Sequence, residues 1–509
     1  RHGRLGVALA YDRLRSDNDF RFDRSLRGLG GFFPGLPLAE TRHTRLGAGF
    51  LKQSGMARLE LDAGRDRGLV GTLHLHETER GQPGSTHGPA PVGSPDDLVS
   101  CPHATEENRR AVGSLAFNDR RLGPGSLEVA LSHRFEKWSL HDPAGLCNLI
   151  NPVLRNGRDR LESTETETGI SARFAGSPIR IGPATLKGRS AVTVRLEQWR
   201  GDDSEDLGQW VATFFLQEDL GLFEGRLRLV PALGFEGVHS REVRVRDPTQ
   251  NGVWTHVRPD HGGEWLPRLG AIVRVAPWLR LKANYARSYR RPTFQELFLP
   301  DQGFIRGNPH LRSESAWGFD VGLEARHRGA GWLRDLRLEA VYFERDLDDP
   351  IEFVQINQVT FEPRNLPPSV VEGIEVQGSL LLAGRLELHG SYTHLDARLE
   401  RTGTPLPHRP ENRWFGRAAL NVGAGRAWAE LTYEDEVPLS ATGLITADAA
   451  SQVDVGLSVR LGELFRRRSL RGLTLSSEWV NVTDQERVDS LGLPLPGRTW
   501  YLRLRGTSR

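Results

Sequence analysis

Cysteine and methionine are nearly missing: there are two Cys and one Met in 509 residues. Two Cys exclude a disulfide-dense scaffold and any Cys-rich zinc or iron–sulfur module. Lysine is scarce, so arginine supplies most of the positive charge. Neither sign is in excess, with 67 Lys+Arg against 65 Asp+Glu. A nucleic-acid partner calls for a clear basic excess, so none is expected. No apolar run reaches the ~18 residues of a membrane-crossing helix. The mean hydropathy of −0.45 is blind to β-barrels, whose strands alternate lipid-facing and lumen-facing residues. Also missing are a P-loop, a G-x-S-x-G elbow, an H-E-x-x-H pair and a dinucleotide glycine pattern, so no enzyme is expected. The chain opens on Arg1 without a basic and then apolar leader, and reads as a processed or truncated piece. By length alone it fits several soluble domains or one large barrel.

What is abundant is glycine, 56 residues, above the usual share of roughly 7%, and alternation at period two. Val453, Val455, Leu457, Val459 and Leu461 alternate with Asp454, Gly456, Ser458 and Arg460. That period is the strand signature and puts the apolar set on one face. The same pattern recurs at Leu5–Tyr11, Leu69–Leu75, Leu127–Leu131, Val192–Leu196, Trp210–Leu216, Trp317–Leu323, Leu336–Tyr342 and Trp500–Leu504. Opposite faces carry Asp320 and Glu324, Arg337 and Glu339, Glu375 and Gln377, Arg503 and Arg505. Several runs reach the ~9–11 residues of a tilted membrane-spanning strand, longer than the usual soluble strand.

Connection lengths alternate as well. Short turns near Gly64–Gly68, Gly123–Gly125, Gly221–Gly225, Ala276–Trp278 and Gly384–Arg385 separate long polar segments at 24–43, 82–109, 143–163, 246–263, 298–312 and 402–412. Outer-membrane barrels have short periplasmic turns and long extracellular loops. The pattern therefore predicts an all-β fold, a large antiparallel up-and-down transmembrane β-barrel of about twenty strands.

Four segments then carry a family resemblance. In 281–324 a strand ends in Ser288, Tyr289, Arg290 and Pro292, a loop reaches Gly307, Asn308, Pro309 and Leu311, and the chain returns with Glu314 before Trp317. Gly373 and Glu375 stand in 370–380, Asn481, Thr483 and Asp484 in 476–486, and Gly497, Arg498 and Tyr501 in 496–506. In this order they resemble the barrel domain of TonB-dependent outer-membrane receptors of the cobalamin and siderophore type. The resemblance implies a 22-strand plugged barrel, a size class outer-membrane transporters share. Residues 1–509 would be its barrel domain, with the plug and the first two strands absent from this chain. It also implies active uptake of a scarce small-molecule ligand, coupled to the TonB complex through the plug. A departure is the chain end, Thr507, Ser508 and Arg509, where the family finishes on an aromatic residue.

Candidate site residues follow from the loops. Trp254, His256, Gln302, Phe304 and Arg306 fall in long outer loops, where aromatics and Arg commonly carry recognition energy; packing between loops is the alternative. Asp17, Asn18, Asp19 and Asp23 cluster above the first strand, an oxygen-rich set that could hold structural calcium or form a solvated rim. Asp202, Asp203, Glu205 and Asp206 pose the same choice, with a divalent ion bridging to lipopolysaccharide as the functional option. Cys101 and Cys147 lie in two outer loops, where a disulfide suits an oxidising compartment; two distant thiols are the alternative. His74 and His76 share one strand face without an evident third metal ligand. His133 and Phe135 read as part of an interfacial aromatic belt. Arg466, Arg467 and Arg468 fall on a periplasmic turn, as a solvated charge run or a contact for a periplasmic partner. The expected partners are outer-membrane lipid and lipopolysaccharide, and the expected state is a monomer without a cofactor. The rivals are a plug-less passive or secretion barrel and a soluble secreted all-β binding protein.

Overall fold

The computed structural model describes residues 5–17, 20–24, 41–45, 49–64, 66–81, 104–141, 159–250, 252–259, 261–301, 305–356, 360–438, 446–485, 487 and 495–507. Twenty long strands form one antiparallel up-and-down sheet. In chain order the first seven are β1 (Leu5–Ser16), β2 (Phe50–Gly64), β3 (Arg67–Gly81), β4 (Thr105–Leu122), β5 (Gly125–His141), β6 (Arg160–Gly176) and β7 (Ala184–Gly201). Next come β8 (Leu207–Leu222), β9 (Leu227–Ser240), β10 (Gly262–Ala276), β11 (Leu279–Arg290), β12 (Glu314–Arg328), β13 (Leu333–Asp348) and β14 (Ser369–Leu382). The last six are β15 (Leu386–Leu399), β16 (Asn412–Val422), β17 (Gly425–Glu434), β18 (Ala450–Arg460), β19 (Leu473–Val480) and β20 (Thr499–Gly506).

Each strand pairs with its sequence neighbour, so register follows directly from the turns. Ile170 lies opposite both Leu131 and Val194, and Val194 lies opposite Ala212. The apolar residues of successive strands therefore form one continuous outward band. That band is exposed: Leu9 is 77% accessible, Leu131 55% and Ile170 54%. Apolar surface of this extent on a soluble protein would be a liability; around a barrel it is the lipid contact. Outward aromatics form a girdle on the loop side, with Phe235 against Trp265, Tyr285 stacked on Trp317 at 5.1 Å and Tyr392 against Trp414 at 4.0 Å.

β1 pairs with β2 and β20 with β19 along their lengths. Among the described residues neither has a partner on its other side, and both are exposed on both faces.

The two ends of the sheet differ as the loop lengths predict. Tight turns close one end. At the other, the connecting segments contain folded elements: hairpins Phe20–Arg24 with Thr41–Arg45, Val243–Asp247 with Val253–Val257 and Ile351–Gln355 with Phe361–Asn365, and the short helix α1 (Phe294–Phe298). Their strands are too short for periodicity to register. The strand expected over 453–461 stops at Arg460, and Leu461 opens a second short helix, α2 (Leu461–Leu464).

Candidate recognition surface on the outer face

The inward faces of the strands carry the charges. Arg110 of β4 donates two hydrogen bonds to Glu136 of β5, from Nε at 2.9 Å and Nη2 at 2.8 Å. Arg134 reaches Glu136 and Glu165. Further round, Arg195 Nε donates to Glu197 at 2.5 Å and Gln209 donates to its other oxygen at 2.7 Å. Arg291, just past the end of β11, turns in to bridge Glu197 at 3.3 Å and Glu236 at 2.8 Å. Lys282 sits between Glu324 and Glu339, at 2.6 and 3.0 Å. A buried charge is tolerable only when paired and hydrogen-bonded; the pairs from Arg110 round to Arg291 brace the outer ends of β4–β9 beneath what lies above, whereas Lys282 lies near the inner end of β11.

Above the rim the outer segments fold into a canopy with its own dry core. Trp199, Leu207, Val243, Val245, Val257, Phe294, Leu297 and Phe298 are all buried and pack together, with Leu311 against them. α1 starts at a capping box: Thr293 accepts from the Glu296 backbone N–H, and Glu296 accepts from the Thr293 N–H. Glu296 and Glu314 both hold Arg290. Gly307 passes so close to the end of α1 that a Cβ would sit 2.7 Å from Leu299 N and 2.9 Å from Leu297 O. Its N–H donates to Leu299 O at 2.9 Å, and Asn308 Nδ2 donates to Pro363 O at 3.0 Å. Arg290, Gly307, Asn308, Leu311 and Glu314, from the first of the segments that carried the resemblance, thus fasten this canopy.

Two polar clasps tie the hairpins together. The Asp247 carboxylate is fully buried. It accepts from Thr249 N at 2.8 Å, Thr249 Oγ1 at 2.6 Å and Gln250 Nε2 at 2.9 Å, and contacts His310 Nε2 at 2.6 Å. Burial alone would raise its pKa; the hydrogen bonds from Thr249 and His310 outweigh that and hold it below the usual Asp value. In the second clasp Arg306 binds Glu362, with Nε at 2.7 Å, and the Pro248 carbonyl at 2.7 Å. At the canopy edge Asp206 is also held below its ordinary value, by its hydrogen bonds from Arg200.

The expected recognition residues divide accordingly. Trp254 and His256 lie on the hairpin strand Val253–Val257 and are exposed, with the Arg244 guanidinium over the Trp254 ring at 5.2 Å. Arg306 is engaged in the clasp just described. Gln302 and Phe304 lie outside the described residues, as do Cys101, Cys147, Asn18 and Asp19. Asp17 is exposed, with Arg15 at 3.9 Å; Asp23 lies in the hairpin strand Phe20–Arg24, its side chain outside the description. In the acidic loop Arg246 stands 3.9 Å from Asp203, while Asp202 accepts from Glu162 N at 2.8 Å. His76 bonds Thr78 at 2.9 Å and His133 bonds Thr168 at 2.8 Å. Among the described residues no group of three or more His, Cys, Asp or Glu could hold a metal. The cleft between Asp203, Arg246, Pro248 and Pro309 has about 20 Å³, room for roughly one water. Sequence reasoning missed Arg291, Asp247, His310 and Glu362. Their partners are 94, 63 and 56 residues away, and no local pattern signals such pairs.

Residues 7–481 match the family described as TonB dependent receptor-like, beta-barrel. This chain belongs to that family. As a TonB-dependent receptor barrel it is an outer-membrane protein. It is 27% identical to the ferric enterobactin receptor of Pseudomonas aeruginosa over 303 residues, 49% of this chain and 39% of that receptor. It is 24% identical to the vitamin B12 transporter BtuB of Photobacterium profundum over 153 residues, 29% of this chain and 23% of that transporter. The alignments thus span well under half of either curated relative. Among solved structures, the copper transporter OprC superposes with a TM-score of 0.71 at 14% identity, over 99% of this chain and 76% of that one. The FrpB iron transporter from Neisseria meningitidis superposes at 0.68 with 13% identity, over 99% and 77%. At such identities the likeness is one of fold.

Proposed function

We propose that this barrel is the wall and outer recognition surface of a receptor that imports a scarce metal chelate, such as a ferric siderophore or cobalamin, using energy coupled through TonB and a plug. The observation that carries this is the canopy: a packed, clasped platform that presents Trp254, Arg244 and His256 outward above a charge-lined wall. Aromatic and guanidinium groups held rigid lose little entropy on binding, and suit bulky, charged, aromatic-rich chelates. Relatives named for ferric enterobactin and vitamin B12 support this ligand class. Lipopolysaccharide contact, a monomeric state, calcium near Asp17, Asp19 and Asp23, and a Cys101–Cys147 disulfide belong to the same reading.

The test is uptake by cells that express the whole gene product, using labelled ferric catecholate siderophore and labelled cobalamin. Uptake of one of them should stop on loss of TonB or on addition of an uncoupler. Trp254→Ala should weaken binding to whole cells about tenfold, the scale of one desolvated cation–π or stacking contact. Uptake of small solutes that ignores TonB and the uncoupler would instead make the protein a passive barrel.

A further inference from the structure

One inner turn is unlike the rest. Most turns at that end are two to four residues, whereas β18 and β19 are joined by residues 461–472, which contain α2 and the short 3₁₀ helix Arg468–Leu470. This turn is built, not slack. Gly462 packs so tightly that a Cβ would sit 2.8 Å from Arg471 Cα and 2.9 Å from Arg471 N. The N–H of Phe465 donates to Leu461 O at 3.0 Å, that of Arg471 to Arg468 O at 3.1 Å, and that of Thr507 to Gly472 O at 3.0 Å.

Its surface combines two features. Leu461, Leu464 and Phe465 fall at i, i+3 and i+4, on one helix face, and Leu464 and Phe465 are 54% and 59% accessible. Leu461 follows the lipid-facing series Val455, Leu457 and Val459, so the apolar strip of β18 continues into this face. Beside it stand Arg466, Arg467, Arg468 and Arg471, all exposed. The turn's single carboxylate, Glu463, is taken by Arg460 at 3.0 Å, so the four arginines outnumber local acid. Other inner turns also expose large apolar side chains, among them Phe223, Trp278 and Trp332.

We propose that this turn is a docking site for anionic phospholipid of the periplasmic leaflet: Leu464 and Phe465 enter the boundary between headgroups and acyl chains, and the arginines hold the headgroup phosphate. Two observations favour lipid over an acidic protein. The apolar strip is continuous with the barrel's lipid contact. The arginine-plus-apolar pairing is the pattern of a surface-bound membrane anchor, in which basic side chains add electrostatic attraction to apolar burial. The inference rests on the outer-membrane placement and is independent of which ligand is imported.

The experiment is native mass spectrometry of the protein extracted from outer membranes in detergent. It is titrated with phosphatidylglycerol, with phosphatidylcholine of the same chain length, and with inorganic phosphate. Phosphatidylglycerol should bind at least tenfold tighter than phosphatidylcholine, and inorganic phosphate should not compete. R466E/R467E/R468E should lose that preference, and R466K/R467K/R468K should retain most of it. L464S/F465S should weaken both lipids together. Heat-dependent gel mobility verifies that each variant is a folded barrel; should the triple reversal not fold, the Phe465→Ser and Arg467→Glu single variants take its place. Unchanged selectivity in the charge-reversed barrel, or displacement by inorganic phosphate, would overturn the proposal.

Discussion

The wall and the canopy arrange the same amino acids in opposite order. In the wall Leu131, Ile170 and Val194 point outward and are exposed, while Arg110, Glu136, Arg195 and Glu197 point inward and pair. In the canopy Trp199, Val245 and Phe298 are buried and charges such as Arg244 and Glu205 lie outside. The hydrophobic effect requires only that apolar surface leave water. Lipid satisfies that demand for the wall. The canopy, bathed in water, has to fold a core of its own, and this is why the outer segments are hairpins and a helix and not bare loops.

The sharpest way to separate the two regions is to damage one core and read the other. Phe298→Ala removes a ring stacked at 6.3 Å on Phe294 and 6.4 Å from Trp199. Such a truncation costs ~3–5 kcal/mol in a packed core. Because α1 packs on Trp199 and Leu207 at the outer ends of β7 and β8 and not on the lipid-facing stretch of the wall, the loss should appear as faster hydrogen exchange and proteolysis in 243–257 and 294–312. Heat-modifiable gel mobility of the barrel should be unchanged. Concerted unfolding of wall and canopy would show instead that they form one cooperative unit.

The converse damage strikes the lipid face. Leu131 lies mid-strip on β5, 55% accessible. Leu131→Arg should cost ~2–4 kcal/mol near the bilayer midplane in reversible unfolding from phospholipid vesicles. The same change would be near neutral if that surface met water, so the soluble reading of the chain predicts no loss. Canopy exchange should not respond.

The two regions also differ in how far the sequence announces them. The wall is legible because the pleat forces period two, and lipid makes every second residue apolar over ten or more positions. Turn and loop parity follows from the up-and-down path. The canopy is not legible this way: Val243, Val245 and Val257 alternate over only five residues per strand, within a segment whose polar composition resembles a loop. Gly307 and Asn308 were readable as a motif, but not as the groups that fasten α1 to the next hairpin. Trp254 and His256 lie exposed on the hairpin strand Val253–Val257, whereas Arg306 holds Glu362. Ion pairs such as Arg291 with Glu197 depend on which strands end up opposite one another, and nothing local encodes that.

The smallest expected effect tests whether the canopy's clasps are electrostatic. Asp247 has a depressed pKa in the folded state, because hydrogen bonds from Thr249 and His310 outweigh its burial. A depressed carboxylate contributes stability that is present above its unfolded pKa of about 3.9 and is lost as pH falls through the folded value. Canopy protection, read by hydrogen exchange in 243–257 and 305–312, should therefore be level with respect to this group from about pH 8 to 5 and decline below about pH 4. Asp247→Asn should lower protection at neutral pH and remove the decline. The wall, read by gel mobility, should be indifferent to the substitution. A decline of the same size in Asp247→Asn would move the acid sensitivity to the lumen carboxylates, and the two regions would then share one electrostatic response.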